Sequence, residues 1–426
     1  MTWLVVLCVL AMRLGLPVGE AGVPVVLPLG FALAALLLVR GRVVVDRLRV
    51  ELYTVAVIAC LCTTAAVALQ GIPFSTNSIL LLLVVYLPWV LRVADSAGAA
   101  VLRHAGRVFI RVMVAVAGVG TAQFAGQVLG VWQYEDLVGD LVPSWLLISG
   151  YNTSIPLQFG SSLYKANAFV LLEPSFLSQF CALAVVIGLM LGIRAWQLVV
   201  LLAGLVSAVS GTGIVLLGVG SALVLVRARR RIRPAHLAAG GVAAGLLFLS
   251  PAATLLLDRS GEFSQPGTSG NARFLQPYAE VLRGLEVSPL RYAVGAGPGN
   301  ADRLLASARD GVGFDVLYST LPKLVFEYGL VAGGLFLLFL LLSMLDGAPW
   351  PVVPGTLVVM TMFLSGGLLQ PQTAFLAWLL TGFGAGPAPA ARAAGGAGGT
   401  VGEGTATPRP SPQDGAPQVP ATASTE

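Results

Sequence analysis

The sequence predicts an all-α integral membrane protein of about twelve transmembrane helices with two long extracytoplasmic loops. Composition comes first: the 426 residues are 56% hydrophobic and 11% charged, with a mean hydropathy of +0.86, which excludes an ordinary soluble globule. Second, the apolar residues form continuous runs rather than an alternation, so helices are expected and a β-barrel is not. Third, arginines gather at every second break between runs, as they do when successive helices cross a bilayer.

Read in order, the expected spans are 2–17, 23–39, 50–69, 78–91, 108–131, 169–192, 195–210, 213–226, 235–257, 321–345, 352–368 and 373–383. No basic residue precedes the first run and no small-x-small site follows it, so it is read as a retained span rather than a secretory signal. Arg13 lies within that run. Its long stem is expected to snorkel to the interface, the alternative being a place in the bundle interior. Arg40, Arg42, Arg47 and Arg49 follow the second run, Arg92, Arg103, Arg107 and Arg111 the fourth, Arg194 the sixth, and Arg227, Arg229, Arg230, Arg231 and Arg233 the eighth. The positive-inside rule makes that side cytoplasmic, with both termini on it. On the other side fall the two long loops, 132–168 and 258–320.

The larger loop carries six arginines, no lysine and seven carboxylates. Phe274, Leu275, Tyr278, Val281, Leu282 and Leu285 recur at helical spacing, so an amphipathic helix is expected over 272–285. Residues 1–383 are then the transmembrane domain. From 384 to 426 the chain is Ala, Gly, Pro, Thr and Ser with almost no large apolar side chain, and a disordered cytoplasmic tail is expected.

Cysteine and histidine offer little chemistry. Cys8, Cys60, Cys62 and Cys181 all lie in apolar runs; Cys60 and Cys62 point to different sides of a helix, and His104 and His236 stand beside arginine clusters. Neither a metal nor a cofactor is expected.

Three polar motifs stand out. In the first, Tyr164 to Phe176, Glu173 sits at the edge of an apolar helix before Pro174; an intramembrane carboxylate points to function, while a first-turn acid favouring the helix dipole is the plainer reading. The second is Ser210-Gly211-Thr212-Gly213, between two short runs. It is expected as a tight turn, recessed in the membrane if the runs do not span fully. The third combines Ser269 to Arg273, Val294 to Asn300 and Tyr318 to Thr320, leading to Glu327-Tyr328-Gly329-Leu330. Its Gly-x-Gly-x-Gly lacks the strand and helix of a dinucleotide fingerprint, and is read as letting backbone turn sharply or approach a ligand.

In their order and membrane placement these pieces resemble the bacterial O-antigen polymerase and O-antigen ligase family of multispanning glycosyltransferases: Lys165 to Ser175, Ser210 to Gly213, Gly270 to Arg273, Gly295 to Gly297, and Glu327 to Leu330. The resemblance covers most of 50–383. It implies metal-independent, inverting transfer of a glycan from a polyprenyl diphosphate to an acceptor hydroxyl at the outer face of the plasma membrane. On it, Arg273, Glu173 and Glu327 are the expected catalytic residues. Lys165, Tyr318, Arg291, Gly295 and Gly297 are the expected substrate-binding residues. Arg273 occupies the position of an important loop arginine, and Lys165 stands where members often carry arginine. Ligase members commonly have a histidine nine residues before the glutamate that opens the tenth span. Tyr318 stands there, which leans the reading toward a polymerase.

The expected partners are a polyprenyl-diphosphate-linked glycan, the lipid bilayer and other polysaccharide assembly proteins, and not nucleic acid. Two further readings stay open. A transporter or flippase of polyprenyl-linked sugars or other anions suits twelve spans equally, but would concentrate its polar residues near mid-membrane. A noncatalytic assembly partner is the other.

Overall fold

Backbone amides that cannot reach water must be satisfied within their own segment, and the apolar runs accordingly fold as helices. The computed structural model describes residues 1–384 apart from 19–21, 95–97, 149, 158–159, 249–274, 302, 304–317 and 367–368. Arg273, much of the large loop and the tail from 385 lie outside the described residues.

In chain order the helices are α1 (Thr2–Leu10), α2 (Val26–Val39), α3 (Arg47–Leu69), α4 (Thr76–Tyr86), α5 (Gly98–Val128), α6 (Leu137–Leu141), α7 (Pro174–Leu191), α8 (Ala195–Ser207), α9 (Gly211–Ala228), α10 (Pro234–Phe248), α11 (Gln276–Glu286), α12 (Pro289–Val294), α13 (Thr320–Leu345), α14 (Val352–Val359) and α15 (Pro371–Leu380). A π-helical turn, Met360–Leu364, prolongs α14. The only sheets among the described residues are two short antiparallel pairs, β1 (Gly15–Leu16) with β2 (Val23–Pro24) and β3 (Val43–Val45) with β4 (Leu91–Val93).

Five of these helices are long and apolar enough to cross a membrane: α3, α5, α7, α9 with the turn that extends it to Arg231, and α13. Four shorter apolar helices accompany them, Val26–Val39, Thr76–Val90, Ala195–Ser207 and Val352–Leu364. The expected count of twelve is therefore not reached by full-length spans among the described residues. The runs expected at 2–17 and 373–383 yield helices of 9 and 10 residues, about 14 and 15 Å long, half of a roughly 30 Å hydrocarbon core. The first run stops because the chain turns at Gly15–Leu16 to pair with Val23–Pro24. Conversely, the helix of the fifth run begins at Gly98, ten residues before the expected 108. Its early turns carry the exposed Arg103, Arg107 and Arg111 on one face, at four-residue spacing.

The core follows from which helices are apolar all round. In α7, 94% of the spanning window is buried, and the helix packs among α5, α8 and α9 as a helix apolar on nearly every face must. Helix α9 approaches it closely because Gly213 and Gly220, seven residues apart, face Ser178 and Val186. A second pair is formed by α3 and α13. Ala56, Cys60, Thr64 and Val67 of α3 are buried, while Val55, Ile58 and Leu61 are exposed apolar residues suited to lipid. Cys60 and Cys62 thus face opposite ways.

Two arginines expected at polar edges are buried instead. Arg13 does not snorkel. It is 6% exposed, and forms a two-pronged pair with Asp136, Nη1 to Oδ1 at 2.5 Å and Nη2 to Oδ2 at 2.7 Å. Nη1 also donates to the Phe169 carbonyl at 2.8 Å. A planar fork on a carboxylate offsets the desolvation that snorkelling would avoid. Arg49 donates to the Gly382 carbonyl at 2.8 Å, clasping α3 to the end of α15.

Candidate active site

Glu173 is the residue before Pro174, which opens α7. Proline is favoured at that first position because its missing amide hydrogen would have no helical acceptor. Ser175 Oγ donates to Glu173 Oε2 at 3.0 Å, and one turn further Ser178 packs on Gly213. The Ser210 to Gly213 motif is therefore not a free turn. Gly211 begins α9, Ser210 directly precedes it, and the bend lies just before, at Val209 with φ +42°. Ser210 and Thr212 are buried and share a hydroxyl hydrogen bond at 3.1 Å. The first two motifs thus converge at the meeting of α7 and α9.

Lys165 enters this region on a tightly held strap. Gln127 receives the Tyr164 amide at 2.8 Å and donates to its carbonyl at 3.2 Å. Gln123 Oε1 receives the amides of Asn167 and Ala168 at 3.1 and 2.9 Å. Asn167, fully buried, donates to the Thr153 carbonyl and receives the Phe169 amide. These bonds hold Ala168 and Phe169 at φ +53° and +61°, a conformation that costs about 1–3 kcal/mol for side chains of this kind. Arg13 closes the strap at the Phe169 carbonyl.

The third motif is assembled on α13, which breaks at Gly329 (φ +74°, ψ 178°). The break frees two carbonyls, and the glycine-rich segment takes them: Ala296 donates to Phe326 at 2.7 Å and Gly297 to Glu327 at 2.9 Å. Gly295, at φ +75°, ends α12 with its amide on Arg291. The backbones at Gly295 and Gly329 are so close that a Cβ on either would meet the other strand's main chain. The close approach that the glycines permit is thus to protein backbone. Arg291 donates to the Gly284 carbonyl at 3.2 Å, joining α12 to α11. Tyr318 is buried with Val281, Leu285, Ala296 and Phe326. That cluster seats the amphipathic helix, which begins at Gln276 rather than 272; residues 272–274 lie outside the described part. Leu282, expected on its apolar face, is exposed.

Glu327 is 4% exposed, with Lys323 Nζ at 3.8 Å from its Oε1. They line a cavity of about 70 Å³ with Ser78, Tyr86, Tyr328 and Leu369. The hydroxyls of Ser319, Thr320 and Tyr328 are buried without a hydrogen-bond partner among the described residues. Lys323, Gln123 and Gln127 were not singled out from sequence. The signal was there, since Lys323 with Glu327 and Gln123 with Gln127 are polar pairs at four-residue spacing in apolar helices.

The connection before α15 touches Tyr318 on one side and the first long loop on the other. The Tyr318 carbonyl abuts Gly366, and Gln370 donates to the Tyr151 hydroxyl at 2.9 Å. Among the described residues no group of three or more His, Cys, Asp or Glu could hold a metal ion.

No curated protein and no solved structure matches the chain. A family model does: that of the WcaD colanic acid polymerases matches residues 1–383, taking in α1 to α15 and both polar groupings. By that match the chain belongs to the WcaD colanic acid polymerase family, an O-antigen polymerase-type family.

Proposed function

We propose that the chain polymerises a surface polysaccharide by passing a glycan from a polyprenyl diphosphate to an acceptor hydroxyl at the outer face of the plasma membrane. Family membership supports polymerisation. The observation that carries the site is the first turns of α13, where the buried Glu327 faces the half-buried Lys323 and where the hydroxyls of Ser319, Thr320 and Tyr328 are orphaned. Buried hydroxyls without partners are rare, and a polyhydroxylated ligand would satisfy them.

In this reading the acceptor oxygen attacks the anomeric carbon. The bond from that carbon to the diphosphate oxygen breaks, and the electron pair leaves with the diphosphate. Glu327 or Glu173 takes the acceptor's proton. Arg273, with Lys165 and Arg291, stabilises the charge where it develops. Tyr318, Gly295 and Gly297 shape the wall around Glu327. The transfer is inverting and metal-independent, about twelve segments embed in the bilayer, and both termini and the arginine clusters lie in the cytoplasm.

Arg273 supplies the test. Arg273→Ala is expected to lower glycan transfer about 100- to 1,000-fold in membranes matched for protein. Arg273→Lys should recover part of the loss, because charge remains while the fork disappears. An alanine variant within a few-fold of wild type would remove Arg273 from the reaction.

A further inference from the structure

The far end of α9 from Ser210 runs into the most basic stretch of the chain, Arg227 and Arg229 to Arg231 with Arg233 beyond. A recess of about 410 Å³ opens between this turn, the end of α7 at Met190, and the start of α14 at Trp350. Arg227, Arg229, Arg230 and Arg231 all line it, and no carboxylate does. Arg231 Nη1 donates to the Met190 carbonyl at 2.6 Å, tying the turn to α7. The side chains of Arg227, Arg229 and Arg230 have neither hydrogen bond nor ion pair among the described residues. Elsewhere several arginines are neutralised: Arg13 by Asp136, Arg47 by Glu51, Arg92 by Asp46 and Arg283 by Glu280.

A helix C-terminus attracts cations, and the positive-inside bias places arginines near span ends. Neither effect gathers four guanidinium groups around one cavity. The recess lies at the end of a helix long enough to cross the bilayer; a helix that spans ends at the level of the headgroups, where an indole such as that of Trp350 settles. Guanidinium forks match phosphate oxygens two at a time, and basic pockets between helices at the membrane edge suit phosphate-bearing headgroups. We propose that this recess binds the phosphate headgroup of an anionic phospholipid. The assignment stands apart from the catalytic reading, since α9 separates the recess from Ser210 by 18 residues, about 27 Å.

Native mass spectrometry of the purified full chain, offered phosphatidylglycerol or phosphatidylcholine in detergent, tests it. The wild type is expected to retain phosphatidylglycerol on the order of 10-fold better, and the double variant Arg229→Gln/Arg230→Gln to lose that preference. A control, Arg40→Gln/Arg42→Gln, removes the same charge from another basic loop and should keep the preference. Inorganic phosphate at the lipid's concentration should leave the lipid bound. Equal retention of both lipids by the wild type would overturn the proposal without any variant. So would an equal loss in the control, which would reduce the effect to general charge, or displacement by phosphate alone, which would make the occupant a free anion.

Discussion

At the scale of single residues, the buried Glu327 and the Arg13–Asp136 pair carry the sharpest consequences. Glu327→Gln keeps the shape of the cavity but cannot accept a proton. If Glu327 is the base, transfer should fall about 100- to 10,000-fold with unchanged protein level in membranes; assays on matched membranes check this, and near-normal transfer would move the base to Glu173. For Asp136, burial acts to raise its carboxyl. The hydrogen bond and charge of Arg13, helped by the Gly139 amide and Thr153, outweigh this and hold it below its ordinary value of 3.8. A depressed carboxyl stabilises the fold above its unfolded value and loses that contribution as pH falls through the folded one. The wild type should therefore lose stability below about pH 4. Asp136→Asn should be less stable at neutral pH by about 1–3 kcal/mol, with a flatter acid limb. Thermal unfolding in detergent across that range reads both effects. Arg13 also shows where sequence reading stopped. A lone arginine in an apolar run is visible, but its carboxylate lies 123 positions away, and only the fold brings the two together.

At the scale of elements, the break in α13 is the organising feature. Gly329→Ala places a Cβ against the Ala293 carbonyl, at a positive φ that alanine resists. The variant should straighten or destabilise the helix, withdraw the carbonyls that receive Ala296 and Gly297, and lower transfer together with the melting temperature. Leu285→Asp, in the cluster with Tyr318 and Phe326, should instead release α11 from α13. Limited proteolysis within 276–286 should then quicken while the rest of the bundle resists; unchanged cleavage would mean that the cluster does not seat the helix. Much of this was legible beforehand: α3, α7 and α13 from their apolar length, α11 from its periodicity, and Glu173, Glu327 and the glycine-rich segment as polar features in apolar surroundings. The backbone bonds from Ala296 and Gly297 to Phe326 and Glu327 were not. They depend on a helix break that nothing in the hydropathy of 321–345 reveals, since Gly329 reads equally well as an ordinary helical glycine. The strained Ala168–Phe169 strap was hidden likewise, because its cause lies in Gln123 and Gln127 on another helix.

At the scale of the whole molecule, the proposed orientation puts the arginine turn after α9 inside and the 258–320 stretch outside. Cysteines introduced singly at Ala228 and Ser264 check it with an impermeant reagent on intact cells: Ser264→Cys should react and Ala228→Cys should not. The reverse pattern would move the candidate site to the cytoplasm and away from an outer-face reaction. The claim on which the account turns is chain growth itself. It is tested most directly by incubating the purified protein in liposomes with a defined polyprenyl-diphosphate-linked repeat unit and sizing the glycan. A ladder of lengthened products is expected from the wild type, and none from Arg273→Ala. Movement of the repeat across the bilayer with no increase in its length, from wild-type protein, would contradict it.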